Sequence, residues 1–394
     1  MFDLLCRTFI KNRDDVHDPA VRRAYGTLCS VYGIVLNVLL FAGKYFAGII
    51  TGSVAIVADA VNNLSDAGSS VISLLGFAIA GKRPDLDHPF GHGRVEYLAG
   101  LVLSALIIAM GIEQGRTAIE KILRPEPIAV GLLPAAILLV SIAVKFYMSL
   151  YNRKAGKKLG SAAMMATATD SLSDSIATAV VLLSMGIAWI FKVNVDGWAG
   201  LLVAGFIVFA GYSSMKETLT PLLGQAADPE LVKQIQQVVM AHPEVVDIHD
   251  LIIHDYGPGR GFVSLHAEVD GSGDIYELHD AVDQAEREIR ERFGILATIH
   301  MDPVDTRDEN VARLRQDVTE KVQELDSQIR IHDFRIVPGP THTNLIFDAL
   351  LPAEYKKSDA QAKKDIEQLI HQSWDKYYAV VDIDRSYVSM SGID

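Results

Sequence analysis

Two short runs of oxygen-bearing residues sit inside long apolar stretches: Asn62-Asn63-Leu64-Ser65-Asp66 and Asp170-Ser171-Leu172-Ser173-Asp174. The outer residues of each run are four apart, so on a helix they project from one face, one turn apart. Carboxylates in the middle of a lipid-spanning helix are costly and normally face ions, partners or water. Paired acids without a nearby base repel unless a cation neutralises them. Two such pairs facing each other supply four oxygen donors, Asn62, Asp66, Asp170 and Asp174, which is the make-up of a divalent-cation site. The competing reading is a polar helix–helix contact or a kink. Asp59, about two turns before Asp66, either lines an approach to the site or makes a polar contact of its own.

These residues need a membrane scaffold, and the chain supplies one. It has 394 residues, 49% of them hydrophobic, with positive mean hydropathy. Six stretches approach the ~20 apolar residues a bilayer requires: 26–52, 53–81, 97–122, 128–151, 162–191 and 198–214. Basic residues orient them. Arg7, Lys11, Arg13, Arg22 and Arg23 precede the first span, Lys82, Arg83 and Arg94 follow the second, and Arg153, Lys154, Lys157 and Lys158 follow the fourth. The opposite loops carry fewer, with Lys121 and Arg124 near one and Lys192 in another. The positive-inside rule then puts both termini in the cytoplasm of a multi-pass protein of the cell (inner or plasma) membrane. The charged start of the chain has no apolar core before Leu28 and is not a cleavable signal peptide.

Four regions are expected: a cytoplasmic arm (1–25), a six-helix transport domain (26–220), a soluble domain (221–304) and a second soluble domain (305–394). Acidic residues concentrate after residue 220, and the whole chain carries a net charge of −13. That charge argues against nucleic-acid partners and suits handling of cations. Two cysteines, Cys6 and Cys29, offer neither a disulfide framework nor a thiolate cluster. In the first soluble region, helices at 229–241 and 275–293 and strands at 247–256, 261–269 and 295–302 make an αββαβ layer. The pattern recurs. Ile248-His249-Asp250 is matched by Ile331-His332-Asp333, and the strand 297–302 by 379–384, with helices at 308–325 and 357–376. A diverged second copy is expected, against the alternative of a convergent α+β pattern.

With these motifs the chain resembles the cation diffusion facilitators, proton-coupled exporters of divalent metal. The resemblance rests on Gly52-Ser53-Val54-Ala55, Ala58-Asp59-Ala60, the two runs above, and the loop Arg83-Pro84-Asp85-Leu86-Asp87-His88-Pro89-Phe90-Gly91-His92-Gly93-Arg94-Val95-Glu96. It covers roughly residues 25–305. It implies an α-helical membrane protein with six transmembrane helices, followed by a cytoplasmic ferredoxin-like α+β domain, here duplicated, and a homodimer in the lipid membrane. It also implies that Asn62, Asp66, Asp170 and Asp174 hold the transported ion. Zinc-transporting relatives usually place a histidine in this set, and this chain has none there. An all-oxygen set suits Mn²⁺ as cargo, as in the manganese-type branch, with Fe²⁺, Zn²⁺ and Co²⁺ as alternatives. No resident cofactor is implied; protons are the coupling ion.

The resemblance further implies a loop metal site at Asp85, His88 and His92, whose spacing lets them meet if the loop is helical. A structural loop is the alternative. In the first soluble domain His249, His266, His279, His300 and Asp302 match regulatory metal positions, and His332, Asp348, Asp382 and Asp384 are their counterparts in the second. His254, His342 and His371 have no such counterpart. The family's acidic residue after the sixth span, which pairs with a base in the loop ending at Arg94, falls at Gly224, so that dimer lock either uses Asp228 or is absent. Two other classes compete with a secondary transporter. An intramembrane aspartyl protease also uses two membrane aspartates, but its Gly-x-Gly-Asp context is missing. A metal sensor without transport would need an output domain that the sequence does not offer.

Overall fold

The computed structural model describes residues 2–12, 14, 19–51, 54–124, 132–191, 193, 195–304, 308–352 and 354–385. The chain divides into two compact units, Met1–Gln225 with Asp255–Arg260, and Ala226–His254 with Gly261–Asp394.

The first unit is helical. A short helix α1 (Phe2–Phe9) precedes α2 (Pro19–Thr51), α3 (Val54–Ala80), α4 (Val95–Leu123), α5 (Leu132–Leu159), α6 (Ala162–Phe191) and α7 (Asp196–Leu223). Among the described residues, α2 to α7 are long and apolar enough to cross a membrane. They run past the expected spans because polar turns continue the same helices: Arg153 to Lys158 extend α5, and α7 passes through Pro221 in its last turn. Hydropathy reads only the apolar part. Helix α1 is no loose arm. Phe2 and Cys6 are buried with Tyr25, Cys29, Met148 and Tyr151, and the Phe2 ring stacks on Tyr151 at 4.6 Å. Both cysteines are buried and neither is in a disulfide. Gly52, Ser53 and Lys192, part of the sequence argument, lie outside the described residues, as does the Asp59 side chain.

The turn Asp255–Arg260 belongs to this helical unit. Arg94 donates to the Asp255 carbonyl through Nε at 3.0 Å and Nη2 at 2.6 Å, and Tyr97 donates to Asp255 Oδ2 at 2.7 Å. Phe90 stacks on Tyr256 at 4.3 Å. Two glycines permit this approach. A Cβ on Gly257 would lie 2.3 Å from the Gly93 carbonyl carbon, and Gly257 itself holds φ +112°. Arg94 thus has its partner at Asp255. Asp228, the expected substitute, instead caps a helix by accepting from Glu230 N–H.

The second unit repeats one order of elements. Helix α8 (Pro229–Val239), β1 (Val245–Asp255), β2 (Gly261–Asp270), α9 (Ile275–Phe293) and β3 (Leu296–Val304) are followed by α10 (Glu309–Gln323), β4 (Arg330–Pro338), β5 (Thr343–Leu351), α11 (Asp359–Ser373) and β6 (Tyr377–Arg385). Each set forms a three-stranded sheet, β1-β2-β3 and β4-β5-β6, with the last strand parallel to the middle one. Parallel neighbours need a crossover, and α9 and α11 provide it. Each set has its own core: Ile235, Leu265 and Ile289 in the first, Leu345, Phe347 and Ile366 in the second. The residues Tyr387 and Val388, expected to continue the last strand, lie outside the described residues.

A buried ion pair ties the two sets. The Glu268 side chain is 0% exposed, and Arg315 of α10 reaches it with Nη1 to Oε2 at 3.1 Å. Asp333 N–H donates to the same carboxylate at 3.2 Å. Removing one partner of such a pair leaves a buried charge unpaired, which costs about 3–5 kcal/mol. Arg315→Met is therefore expected to destabilise this unit toward the lower end of that range, since Arg315 is itself partly solvated. Thermal unfolding of the detergent-solubilised chain reads the effect, and an unchanged transition would show that the pair contributes nothing.

Candidate metal site in the membrane helices

Helix α3 brings Asp66 and helix α6 brings Asp170 and Asp174 to one place. Each of the three offers a carboxylate oxygen, and these atoms lie within 4.8 Å of one another. Asp66 is 5% exposed, and the two α6 aspartates are half-buried. Local sequence explains the approach. Ser65, Ser70 and Ser73 on α3 and Ser171, Ser173 and Ser175 on α6 are small, which lets helices come close in a membrane. Across the pair, the Ser73 and Thr167 hydroxyls meet at 3.2 Å. The fourth expected donor, Asn62, lies one turn before Asp66 on α3 and is exposed, whereas its neighbour Asn63 is buried.

The expectation that these acids have no base beside them is wrong. Lys145, from the middle of α5, donates from Nζ to Asp66 Oδ2 at 2.6 Å and to Asp174 Oδ2 at 2.8 Å, and its side chain is only 3% exposed. Ser149, one turn further along α5, holds the two helices together by donating to the Ala168 carbonyl at 2.8 Å. The site is thus three carboxylates with an ammonium group tethered between two of them. An ammonium carries one charge and is no metal ligand, and here it occupies one oxygen of Asp66 and one of Asp174. Its residue was visible in the sequence. A lone lysine inside an apolar span is a functional candidate by default, but only packing shows which acids it faces.

The chain matches the cation efflux transmembrane domain over residues 30–223 and the cation efflux protein cytoplasmic domain over 227–304. It is 31% identical to an uncharacterized transporter of Methanocaldococcus jannaschii over 280 residues, which is 70% of this chain and 97% of that one. The chain belongs to the cation efflux family. It is similar as well to the cation-efflux pumps FieF of Klebsiella pneumoniae and Escherichia coli, at 29% identity over 287 residues, 72% of this chain and 95% of each relative. A member of this family is a transporter of cations, and its carboxylate cluster lies within the part of the chain that matches the transmembrane domain.

The other expected sites of this family member fare unequally. Asp85, His88 and His92 do come together, although their loop is built of turns and is not helical. His88 N–H donates to Asp85 Oδ1 at 2.7 Å, and the two imidazoles lie 4.4 Å apart. That backbone hydrogen bond, seconded by the His92 ring, holds the Asp85 carboxyl below its ordinary pKa. Both a structural and a metal-binding loop are compatible with this geometry.

In the soluble unit His249, His266 and Asp302 converge, and so do His332, Asp348 and Asp384. His266 Nδ1 lies 2.8 Å from Asp302 Oδ2, and the exposed His300 reaches Asp302 Oδ1 at 3.2 Å. Two expected ligands do not join. His279 is exposed on α9, because that helix turns Leu278, Val282, Ala285 and Ile289 into the core and leaves His279 on the solvent side. Asp382 is 85% exposed and meets Lys363 at 3.4 Å. The extra histidines are packing residues in two cases, since His342 and His371 lie against the Tyr378 ring. Charges in the second group are poorly matched. Burial and then Asp384 push the Asp348 carboxyl up to about 6, and burial and then Asp250 also raise Asp384. Burial lowers the His332 pKa, helped by His249.

Proposed function

We propose that the chain exports divalent metal from the cytoplasm in exchange for protons, with Mn²⁺ as its cargo. The observation that carries this reading is the three-carboxylate cluster between α3 and α6, which no histidine or cysteine joins among the described residues. Oxygen-only donors favour harder ions such as Mn²⁺ over Zn²⁺, which gains from nitrogen or sulfur ligands. Asn62, one turn from Asp66, is the fourth donor in this reading. Metal and protons compete for the same carboxylates, because a ligand must be deprotonated to bind. Asn62 cannot titrate, so Asp66, Asp170 and Asp174 exchange the protons.

Lys145 gives the cycle a third competitor. In the empty carrier its ammonium group neutralises part of the cluster; an arriving ion displaces it, and it returns when the ion leaves. A carrier that resets with a tethered cation in place needs fewer protons to cross back than three bare carboxylates would.

The rest of the notional machine follows from the family and the charge pattern. Both termini lie in the cytoplasm of a cell-membrane homodimer. The soluble region is a ferredoxin-like domain followed by a diverged copy. The duplication is supported by one backbone detail beyond the element order: Asp250 and Asp333, at matching places in β1 and β4, hold φ of +51° and +50°, values uncommon outside glycine.

Proteoliposomes test the reading. Metal flux driven by an imposed pH gradient is expected for Mn²⁺, and no flux, or flux indifferent to the gradient, would overturn it. Selectivity should pivot on the donors. Asp170→His adds an imidazole nitrogen, and the Zn²⁺-to-Mn²⁺ transport ratio in competition assays is expected to rise about tenfold, a change of ~1.4 kcal/mol. An unchanged ratio would place selectivity outside this cluster.

A further inference from the structure

Arginines gather where three of the long helices have an end. Arg22 and Arg23 stand near the start of α2, Ala80 closes α3, and Glu96 lies in the first turn of α4. Arg260, from the turn Asp255–Arg260 of the same unit, joins them. Together they line a cleft of about 310 Å³, solvent at its mouth included.

The charges in this cleft do not balance. Arg22 is 8% exposed and satisfied: it donates to the Leu159 carbonyl and pairs with Glu96 at 3.5 Å. Glu96 is buried too, so that acid is taken. Arg23 and Arg260 have no ion pair among the described residues. Arg260 Nη2 donates to the Lys82 carbonyl at 2.8 Å, but its buried Nη1 has no hydrogen-bond partner. Burial lowers the Arg260 pKa, and no acid offsets it. Nearby acids are engaged elsewhere. The Asp255 carboxylate accepts from Tyr97 O–H and Gly257 N–H, and Asp85 accepts from His88 N–H. Both arginines are packed closely: a Cβ on Gly91 would collide with Arg260 Nη1, and one on Gly81 would lie 2.8 Å from Arg23 Cδ. A half-buried cation with an unpartnered donor is costly unless something anionic meets it.

We propose that this cleft binds a phosphate group between Arg23 of α2 and Arg260 of the turn, and that the bound phosphate ties the turn to the membrane helices. A guanidinium fork meets two phosphate oxygens at once, through short charge-assisted hydrogen bonds. Two such forks without acid partners repel cations and suit an anion rich in oxygens. Position points to the source. The cleft sits at the ends of spanning helices, the depth of lipid headgroups, and basic pockets between such helices hold anionic headgroups. An anionic phospholipid therefore fits, and free phosphate offers the same chemistry. With the termini in the cytoplasm as proposed above, that lipid belongs to the inner leaflet. The cleft and its charges are independent of the transported ion.

The test uses the full chain in neutral detergent with phosphatidylglycerol, phosphatidylcholine or inorganic phosphate added. Native mass spectrometry reads the lipid retained and its Kd, and thermal unfolding reads the protection. Phosphatidylglycerol is expected to bind and to raise the unfolding temperature. Phosphatidylcholine, whose choline cation opposes the arginines, should do less. Arg23→Gln and Arg260→Gln should each weaken the phosphatidylglycerol Kd about tenfold or more, the loss of a hydrogen bond to a charged group. Arg23 is exposed and makes no hydrogen bond among the described residues, so Arg23→Gln carries the test if Arg260→Gln does not fold. Arg83→Gln removes the same charge from the neighbouring loop, outside the cleft, and should leave the Kd unchanged. An equal loss in Arg83→Gln would reduce the effect to general surface charge and overturn the proposal. Equal phosphatidylglycerol and phosphate binding in the parent and both cleft variants would overturn it as well. Protection by inorganic phosphate that is lost in the cleft variants would uphold the site with a soluble occupant. Protection by phosphatidylglycerol alone would identify the lipid.

Discussion

Replacing Asp66 or Asp174 by alanine is expected to abolish metal flux while the protein still folds. Each change removes a charged ligand from a cluster of three whose oxygens already lie within 4.8 Å of one another. Losing a group that merely supports a metal ligand costs 10–100-fold in affinity or activity, so losing the ligand itself should cost more than about 100-fold. Folding should survive because alanine is the best helix former, and Lys145 keeps one of its two carboxylate partners in either variant. The Asp66→Asn protein separates charge from shape: it keeps the oxygen but not the charge, and should also fail to transport. Flux into proteoliposomes and the elution profile of the purified protein are the two measurements. Wild-type flux from a well-folded Asp66→Ala protein would remove this cluster from the transport path.

Lys145→Met should separate binding from turnover. The ammonium group touches Asp66 and Asp174 at 2.6 and 2.8 Å in a place almost closed to solvent. At an effective dielectric of 20, one unit charge about 4 Å from another is worth ~4 kcal/mol, so an ion that must displace Lys145 gives up much of its own attraction. Methionine fills a similar volume without charge. Mn²⁺ should then bind at least about tenfold tighter, a gain of ~1.4 kcal/mol, and be released more slowly, so that flux falls. The metal-free protein should also lose stability, because three acids face one another without the ammonium group that bonds two of them, and added Mn²⁺ should restore it. Lys145→Arg retains the charge and should not tighten binding. Calorimetry and flux on the same preparations give both quantities. Unchanged affinity in Lys145→Met would make Lys145 a structural anchor and not a competitor of the ion.

Much of this arrangement was legible in the residues. The two runs of acids, four apart, needed only helical geometry to face one way, and the hydrophobic lengths gave six spanning helices. Alternation along 261–269 and helical spacing along 275–293 placed strand and helix within a residue or two. Some expected groups were not brought together within one chain. His279, matched by resemblance to a regulatory position between protomers, lies on the outward side of α9. Asp382 took a matching place in β6 and shares the strand face of Asp384, two residues on, but it is solvent-exposed and meets Lys363 instead of joining the group. Asp85, His88 and His92 meet through turns, not through the helix their spacing suggested.

The sequence by itself determined which segments enter the membrane, which carry soluble αββαβ layers, and which acids share a helix face. Those are local properties, set by hydropathy and by the repeat of a helix or strand. Tertiary structure alone decided who stands opposite whom. Lys145 is 79 residues from Asp66 and 29 from Asp174, and His249 is 83 from His332; only helix packing in one unit and the pairing of two sheets in the other bring them together. The reason is physical. Spacing fixes the direction of a side chain relative to its own element, whereas a charge cluster or a metal site depends on distances across elements, which close packing sets.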